Sequence, residues 1–345
     1  MIFKYIKLHV VKAYMSLGLF FYYKKIHVNG LQFVPKTKPV LILSNHQNGL
    51  LDPLLIATQS RRFCYYLTRA AVFKKPLVAK LLKGLNMLPV YRVRDGWQNI
   101  TNNNEVFEVC KDLLKINEAL VVFPEGSHNI NRKVRPLSKG FTRIILGTLE
   151  TYPDLDLQLL PIGVNYENPK AFADSMYLNI GKPISAKMYS NLKKADAVNA
   201  LKKDIQDQIQ LLTTHIDDNY DVVIKNLEQE GADFLKPKLI NHYLNSGEKL
   251  VGFSTSASLL KPFKKVLTML LKIVLGPVYA MWTFVVKPKI EEQEFTGTFR
   301  FALGVTLVPV WLLIVFIILG LSLSWSLAFN IILGIVFLAL LAVKI

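Results

Sequence analysis

One histidine and one aspartate stand six positions apart in the segment SNHQNGLLDPLL, between two apolar runs. The run before His46, PVLILSN, is typical of a buried strand, and the run after Asp52, PLLIATQ, is typical of a buried helix. A carboxylate bonded to one ring nitrogen of a histidine leaves the other nitrogen as a base near neutral pH. The other interpretation is that Asp52 only caps the helix, with Pro53 at its first position, and that His46 is an ordinary loop residue. No activated serine or cysteine motif accompanies the pair, so it predicts a base that activates a hydroxyl of the substrate.

A second strand runs into a turn in VVFPEGSHN, residues 121–129. Glycine lets backbone N–H groups approach a ligand closely, and Glu125 is suited to bind a polyol hydroxyl. The alternative is a simple tight turn after a strand. A basic run follows within fourteen residues of Glu125 and consists of Arg132, Lys133, Arg135 and Lys139. Such a run is either a solvated face or a site for phosphate or for an acidic carrier protein.

Two further strand ends carry candidate residues. In NMLPVYRVRDG, residues 86–96, Arg92 and Arg94 follow a strand and are suited to hold phosphate with two hydrogen bonds each, unless they are surface arginines. In LLPIGVNYENP, residues 159–169, Pro161 and Ile162 predict an apolar wall rather than chemistry. Because open α/β sheets bind ligands at the carboxyl ends of their strands, four such ends predict one shared site.

The composition narrows the classes of partner. Of 345 residues, 51% are hydrophobic, and the net charge is +17. A basic balance suits nucleic acid, anionic membranes or acidic small molecules, and the apolar content favours a membrane over nucleic acid, for which no recognition motif is present. The two cysteines, Cys64 and Cys110, lie in no metal-binding pattern, which predicts reduced thiols and no metal site.

The central part of the chain predicts an α/β fold with a mostly parallel or mixed central sheet and flanking helices. Continuous apolar runs alternate with helical segments over residues 29–190, which we interpret as one α/β domain. The predicted strands are 40–45, 63–68, 87–92, 119–125, 157–166 and 176–181. Residues 191–260 are predicted to form a helical extension, in which Ala197, Leu201 and Ile205 begin an amphipathic stripe.

Both ends of the chain predict contact with a membrane. Residues 1–28 predict a basic, aromatic-rich interfacial helix without an export signal, or else an ordinary packing helix. In the predicted anchor, 261–345, the segments 301–320 and 324–343 are each twenty residues long without a charge, enough to span a hydrocarbon core of roughly 30 Å as a hairpin. Segment 266–286 predicts an interfacial or re-entrant helix, with a third span as the alternative. Positive flanking residues place both hairpin ends in the cytoplasm.

These motifs resemble those of the glycerolipid acyltransferases of the lysophosphatidate acyltransferase, or PlsC-like, family. The segments NHQNGLLDP, 86–92, FPEGS and LPIGVNY correspond in order and spacing to that family's blocks, over about residues 25–185. The resemblance implies that His46 is the general base and Asp52 its orienting partner. It also implies that Glu125, Gly126 and Ser127 bind the acceptor and that Arg92 binds its phosphate. Arg94, Arg132, Arg135 and Lys139 are further candidate basic contacts.

The resemblance implies direct transfer of a fatty acyl group from a thioester to lysophosphatidate or glycerol-3-phosphate, without an acyl-enzyme intermediate. Acyl-CoA or acyl carrier protein would be a co-substrate, no cofactor would be needed, and membrane lipid would be the partner. The expected location is the cytoplasmic face of the inner membrane. The five residues between His46 and Asp52 are one more than in the usual block, and Gly49 is placed to absorb the extra one. Two alternatives remain, another acceptor such as an amino-acid lipid, and a non-catalytic lipid-binding protein.

Overall fold

The computed structural model describes residues 2–92, 101, 103–254 and 260–345, with the backbone alone for 2–4 and 261. Its centre is a mixed sheet in the order β1-β7-β6-β2-β5-β3-β4, with β8 added beside β6. The strands are β1 Lys25–Asn29, β2 Val40–Ser44, β3 Cys64–Arg69, β4 Met87–Val90, β5 Ala119–Val122, β6 Gln158–Tyr166, β7 Ser175–Ile180 and β8 Ile184–Ser185. Strands β2 to β6 are parallel, whereas β7 and β8 run antiparallel to β6, and β1 is parallel to β7.

Twelve α-helices are described within these ranges. They are α1 Ile2–Tyr22, α2 Leu51–Gln59, α3 Pro76–Gly84, α4 Asn103–Lys115, α5 Gly140–Thr151, α6 Lys194–Leu212, α7 Tyr220–Gln229, α8 Pro237–Ser246, α9 Lys261–Val274, α10 Gly276–Ala280, α11 Thr296–Ser322 and α12 Trp325–Lys344. Helix α10 continues as a π-helical stretch, Met281–Val286. The predicted α/β class is confirmed.

The sheet is covered on both faces, which explains the uninterrupted apolar strands β2 and β5. One face packs against α4, α5 and α6, and the other against α1, α2 and the start of α11. In the register, Leu43 of β2 is paired with Val122 of β5 on one side and with Pro161 of β6 on the other. The loops that follow β2 and β5 therefore leave the sheet side by side, and they carry His46 and Glu125.

All six predicted strands are present, but two predicted boundaries differ from the structure. Helix α1 ends at Tyr22, and the edge strand β1 begins at Lys25, inside the segment predicted as an N-terminal helix. Helix α6, predicted as part of a helical extension, buries its apolar stripe in the core of the α/β domain. Only the later helices α7 and α8 form a separate small cluster, around Leu227 and Ile240.

Two described helices are long and apolar enough to cross a membrane. One is Gln293–Ser322, which is α11 with its preceding turn, and the other is α12. They form the predicted hairpin and indicate membrane association. The pair Pro262–Val274 and Gly276–Lys289 bends by 97° at the Gly276-Pro277 break. That bend is compatible with a broken span or a re-entrant loop, so the interfacial placement of 266–286 stays a prediction.

Candidate active site

The loop between β2 and α2, called here the His–Asp loop (Asn45–Asp52), is fastened to the neighbouring strand β6. The Asn45 side chain donates to the carbonyl of Val164 at 2.9 Å and accepts from its N–H at 2.8 Å. Gly49 has a φ of +33°, a backbone conformation that residues with a Cβ rarely adopt. The loop therefore turns at Gly49, and α2 begins at Leu51.

The Asp52 carboxylate is fully buried and accepts four hydrogen bonds. Its Oδ2 accepts from His46 Nδ1 at 2.7 Å, from Gln47 N–H at 2.7 Å and from Asn48 N–H at 2.8 Å. Its Oδ1 accepts from the Tyr166 hydroxyl at 2.5 Å. Asp52 lies in the first turn of α2 rather than at its N-cap, which is Leu50, so the simple capping interpretation is wrong.

This bonding fixes the tautomer of His46. Because both carboxylate oxygens of Asp52 accept from N–H or O–H donors, the hydrogen of the imidazole lies on Nδ1. The lone pair is therefore on Nε2. The ring stacks on Phe123 with centroids 4.1 Å apart and planes at 23°, and its side chain is 11% exposed. The arrangement provides an oriented base with a small opening to the outside.

Glu125 lies beside His46 but is engaged by another residue. Its side chain is 3% exposed, and Oε2 accepts from Arg135 Nε at 2.7 Å. Burial raises the pKa of the Glu125 carboxyl, and the Arg135 charge and the backbone N–H of His46 partly offset this. Arg135 also donates to Ser127 Oγ at 2.6 Å. Gly126 has a φ of +73° with open space on its Cβ side. Acceptor binding by these residues stays a prediction.

The other basic candidates separate into different environments. Arg132 is buried, donates to the carbonyls of Tyr166 and Glu167 at 2.8 Å each, and stacks on the ring of Phe234. Burial lowers the pKa of Arg132 to about 10. Its guanidinium holds the end of β6, and its contact with an acceptor stays a prediction.

Of the remaining basic candidates, Lys139 is exposed at the start of α5, and Arg94 lies outside the described residues. Arg92 is half-buried. Burial and the charge of His46 lower the pKa of the His128 imidazole, Glu292 and Glu294 partly offset this, and the charge of Arg92 adds a smaller lowering. Phosphate binding by Arg92 stays a prediction.

The turn before α11, called here the pre-helix segment (Glu292–Phe295), reaches the site from the far end of the chain. The Phe295 ring contacts His128 edge to face, with centroids 4.5 Å apart, and His128 lies 5.6 Å from His46. Glu292 Oε2 approaches His128 Nδ1 at 3.5 Å. Among the described residues, His128, Glu292 and Glu294 could together hold a metal ion, with ligand atoms within 4.8 Å of one another. Since the Glu292 side chain is 62% exposed, we assign no metal to this cluster.

Sequence reasoning missed three groups of this site. Tyr166 belongs to a recognised block, but its role depends on the alignment of β6 beside β2. Phe123 and His128 flank the Glu-Gly motif, and a second histidine within that block was the available signal. The pre-helix segment carries no chemical motif and could not have been found from its residues alone.

Comparisons with known proteins show which proteins this chain resembles. Residues 25–165 match the family model described as Acyltransferase. An uncharacterized acyltransferase of Schizosaccharomyces pombe is 32% identical over 116 residues, covering 32% of this chain and 17% of that protein. Glycerol-3-phosphate O-acyltransferase 1 of Saccharomyces cerevisiae is 29% identical over 108 residues, covering 30% of this chain and 14% of that protein.

A chloroplastic 1-acyl-sn-glycerol-3-phosphate acyltransferase of Arabidopsis thaliana is 24% identical over 132 residues, covering 38% of this chain and 35% of that protein. The matched parts thus span between 14% and 35% of the length of these three relatives. The crystal structure of the 1-acyl-sn-glycerophosphate acyltransferase PlsC from Thermotoga maritima aligns with a TM-score of 0.37 and 21% identity. That alignment covers 53% of this chain and 71% of that one.

Proposed function

We propose that this chain, which contains an acyltransferase-family domain at residues 25–165, transfers a fatty acyl group from a thioester to a hydroxyl of glycerol-3-phosphate or lysophosphatidate. The observation that carries the proposal is the 2.7 Å bond from His46 Nδ1 to an Asp52 carboxylate that three other donors already hold. A histidine oriented so firmly, with Nε2 left as the base, suits the activation of a substrate hydroxyl.

The chemistry follows from these atoms. Nε2 of His46 takes the proton of the acceptor hydroxyl as its oxygen attacks the thioester carbonyl carbon. The carbon–sulfur bond then breaks, and the imidazolium returns the proton to the departing thiolate, which leaves an ester and a thiol. Asp52 stabilises the imidazolium between the two steps. The stack on Phe123 keeps the ring in place.

Cationic groups beside the base support a phosphate-bearing acceptor. The charge of Arg92 acts on His128, which contacts His46. Arg135 is held by Glu125 and Ser127, which flank Gly126 in the turn after β5. An arginine can bind a phosphate with two parallel hydrogen bonds, which fixes the position of the neighbouring glycerol hydroxyl.

A second candidate acceptor is a lipid that carries an amine, such as an amino-acid lipid. The observation that favours it is the pair Glu292 and Glu294, whose carboxylates face His128 at the same site. Two carboxylates attract an ammonium group and repel a phosphate, although exposure and salt weaken both effects. The acceptor assay distinguishes the two candidates.

The test is acyl transfer by the purified full chain in lipid vesicles. Glycerol-3-phosphate, lysophosphatidate and a lyso-amino-acid lipid are offered separately, with acyl-CoA and with acyl carrier protein as donors. We expect ester formation with one phosphate acceptor and a loss of at least 1,000-fold in His46→Ala, on the order of a removed catalytic base. His242→Ala is the matched control, because His242 lies on α8, a helix of the separate small cluster. Transfer that survives in His46→Ala, or occurs only with the amine acceptor, would overturn the proposal.

A further inference from the structure

The pre-helix segment and the first residues of α11 lie directly against the His–Asp loop. Thr298 Oγ1 accepts a hydrogen bond from the backbone N–H of Leu50 at 2.9 Å. A Cβ added to Gly297 would lie 2.9 Å from both Asn48 Oδ1 and Leu51 Cδ1. These contacts fall on the stretch that separates His46 from Asp52.

Gly49, at the turn of the His–Asp loop, faces the same segment and the first turn of α11. A Cβ on Gly49 would lie 2.8 Å from the ring of Phe295 and 2.8 Å from Thr298 Oγ1. The widened turn of the His–Asp loop is therefore filled by residues from the start of the first apolar helix. The His–Asp loop, with its five residues between His46 and Asp52, and the start of α11 are therefore complementary in shape.

Thr298 also supplies a hydrogen-bond acceptor at the N-terminus of α2, where no side-chain cap is present. The N-cap of α2, Leu50, makes no side-chain capping bond, and the first N–H groups of a helix have no partner within the helix. The Thr298 hydroxyl takes the N–H of Leu50 and so satisfies one of these donors from another part of the chain. Asp52 stands in the same first turn, so the position of its carboxylate depends on how this turn is held.

We propose that Gly297 and Thr298 are positioning residues of the catalytic centre, through which α11 holds the His–Asp loop in its active geometry. This rests on the proposed function. Both residues lie beyond the stretch that matches the acyltransferase family model, which ends at residue 165. The helix that anchors the chain would then also complete the site, because a shift of its first turn moves the base relative to its orienting carboxylate. Misplacement of about 1 Å is enough to slow a reaction by about 100-fold.

Two pairs of variants test the proposal. In the first pair, Gly297→Ala is compared with Gly304→Ala, which is on the same helix and has open space on its Cβ side. In the second pair, Thr298→Val removes the acceptor at nearly constant shape, and Thr298→Ser keeps it. Each full-length protein is purified into vesicles, and kcat, KM for both substrates and the midpoint of thermal unfolding are measured.

We expect kcat to fall at least tenfold in Gly297→Ala and about five- to tenfold in Thr298→Val, on the order of one lost hydrogen bond. KM should stay within twofold, and Thr298→Ser should recover most of the Thr298→Val loss. A purely structural role would lower the unfolding midpoint and the yield without this split. If Gly297→Ala does not fold, the Thr298 pair decides alone. Equal kcat in Thr298→Val and Thr298→Ser would overturn the proposal.

Hydrogen exchange provides a readout that does not need activity. The amide of Leu50 should exchange at least tenfold faster in Thr298→Val than in the native chain, Thr298→Ser or Gly304→Ala. If no acyl transfer occurs in any protein but exchange follows this pattern, the proposed function fails while the loop contact stands. If transfer occurs and exchange at Leu50 is unchanged in Thr298→Val, the positioning proposal is wrong and the function stands.

Discussion

Replacing Asp52 by asparagine separates the charge of the carboxylate from its geometry. An asparagine that places its oxygen at the Oδ2 position still accepts from His46, Gln47 and Asn48, so the Nδ1–H tautomer is kept. Its NH₂ group then faces Tyr166, whose hydroxyl must accept instead of donate. The main loss is the negative charge beside an imidazole that becomes positive during the reaction.

The size of the loss follows from Coulomb's law. With a 2.7 Å bond between Nδ1 and Oδ2, the two charge centres lie roughly 4 Å apart, and they interact by about 4 kcal/mol at an effective dielectric constant of about 20. Since about 1.4 kcal/mol in the barrier is a factor of ten in rate, kcat of Asp52→Asn should fall about 1,000-fold. Removing the whole acceptor in Asp52→Ala leaves three further donors unpaired, each costing about 1–3 kcal/mol of unfolding free energy.

The assay combines ester formation under substrate saturation with denaturant unfolding of the same preparations. We expect Asp52→Asn to be folded and slow, and Asp52→Ala to be both slow and clearly less stable. An Asp52→Asn enzyme that keeps more than a tenth of native kcat would refute the electrostatic argument. An Asp52→Asn protein as unstable as Asp52→Ala would refute the claim that the amide keeps the loop geometry.

Four more predictions concern other groups. Burial raises the pKa of Asp174 to about 8, so the folded chain binds more protons than the unfolded chain between about pH 4 and 8. The unfolding free energy therefore falls with rising pH by up to about 1.4 kcal/mol per pH unit. Asp174→Asn should remove this contribution from unfolding curves measured at pH 5 and pH 8, and an unchanged difference between the two pH values would contradict the prediction. Burial raises the pKa of Cys64 to about 11 and that of Cys110 to about 12, so neither thiol should react with a maleimide in the folded chain, whereas both should react in denaturant. A single cysteine engineered in 288–299 should then be labelled only from the cytoplasmic side of sealed cells. Labelling of that cysteine from outside would overturn the interfacial placement of 266–286. Arg92→Gln should raise KM for a phosphate acceptor at least tenfold with kcat within threefold, whereas an unchanged KM would remove Arg92 from the acceptor site.

The parts of the fold that could be predicted are those that local sequence determines. The six central strands are short apolar runs that end in turns, and the two apolar helices are long uncharged runs, so each is recognisable without its neighbours. Strand β1 was missed because KIHVN is an edge strand, exposed at both ends and only half-buried between, with no continuous apolar run. The extension boundary was placed too early because α6 has the same amphipathic pattern whether it covers the sheet or forms a separate unit.

The contact between His46 and Asp52 could be predicted for a similar reason, whereas the residues that support it could not. His46 and Asp52 meet within one loop, so their spacing carries the information. Tyr166 reaches Asp52 from 114 positions away, and Thr298 reaches Leu50 from 248 positions away. The burial of Arg132 could not be predicted, because a basic run is usually exposed to solvent, whereas a backbone carbonyl at the end of β6 holds this arginine inside. Such long-range partners depend on strand order and helix placement.

The contact between Thr298 and Leu50 would also determine how deep in the membrane the proposed acyl transfer takes place. The uncharged run of α11 begins at Phe301, three residues after Thr298. Because a helix rises about 1.5 Å per residue, the contact of Thr298 with the His–Asp loop lies about 5 Å along α11 from the start of that run. A lysophosphatidate acceptor would then reach His46 by moving sideways within its leaflet, with its acyl chain still among the lipids. The rate would follow the mole fraction of acceptor in the surface rather than its bulk concentration, and diluting vesicles with an inert phospholipid would slow the enzyme even at constant total acceptor.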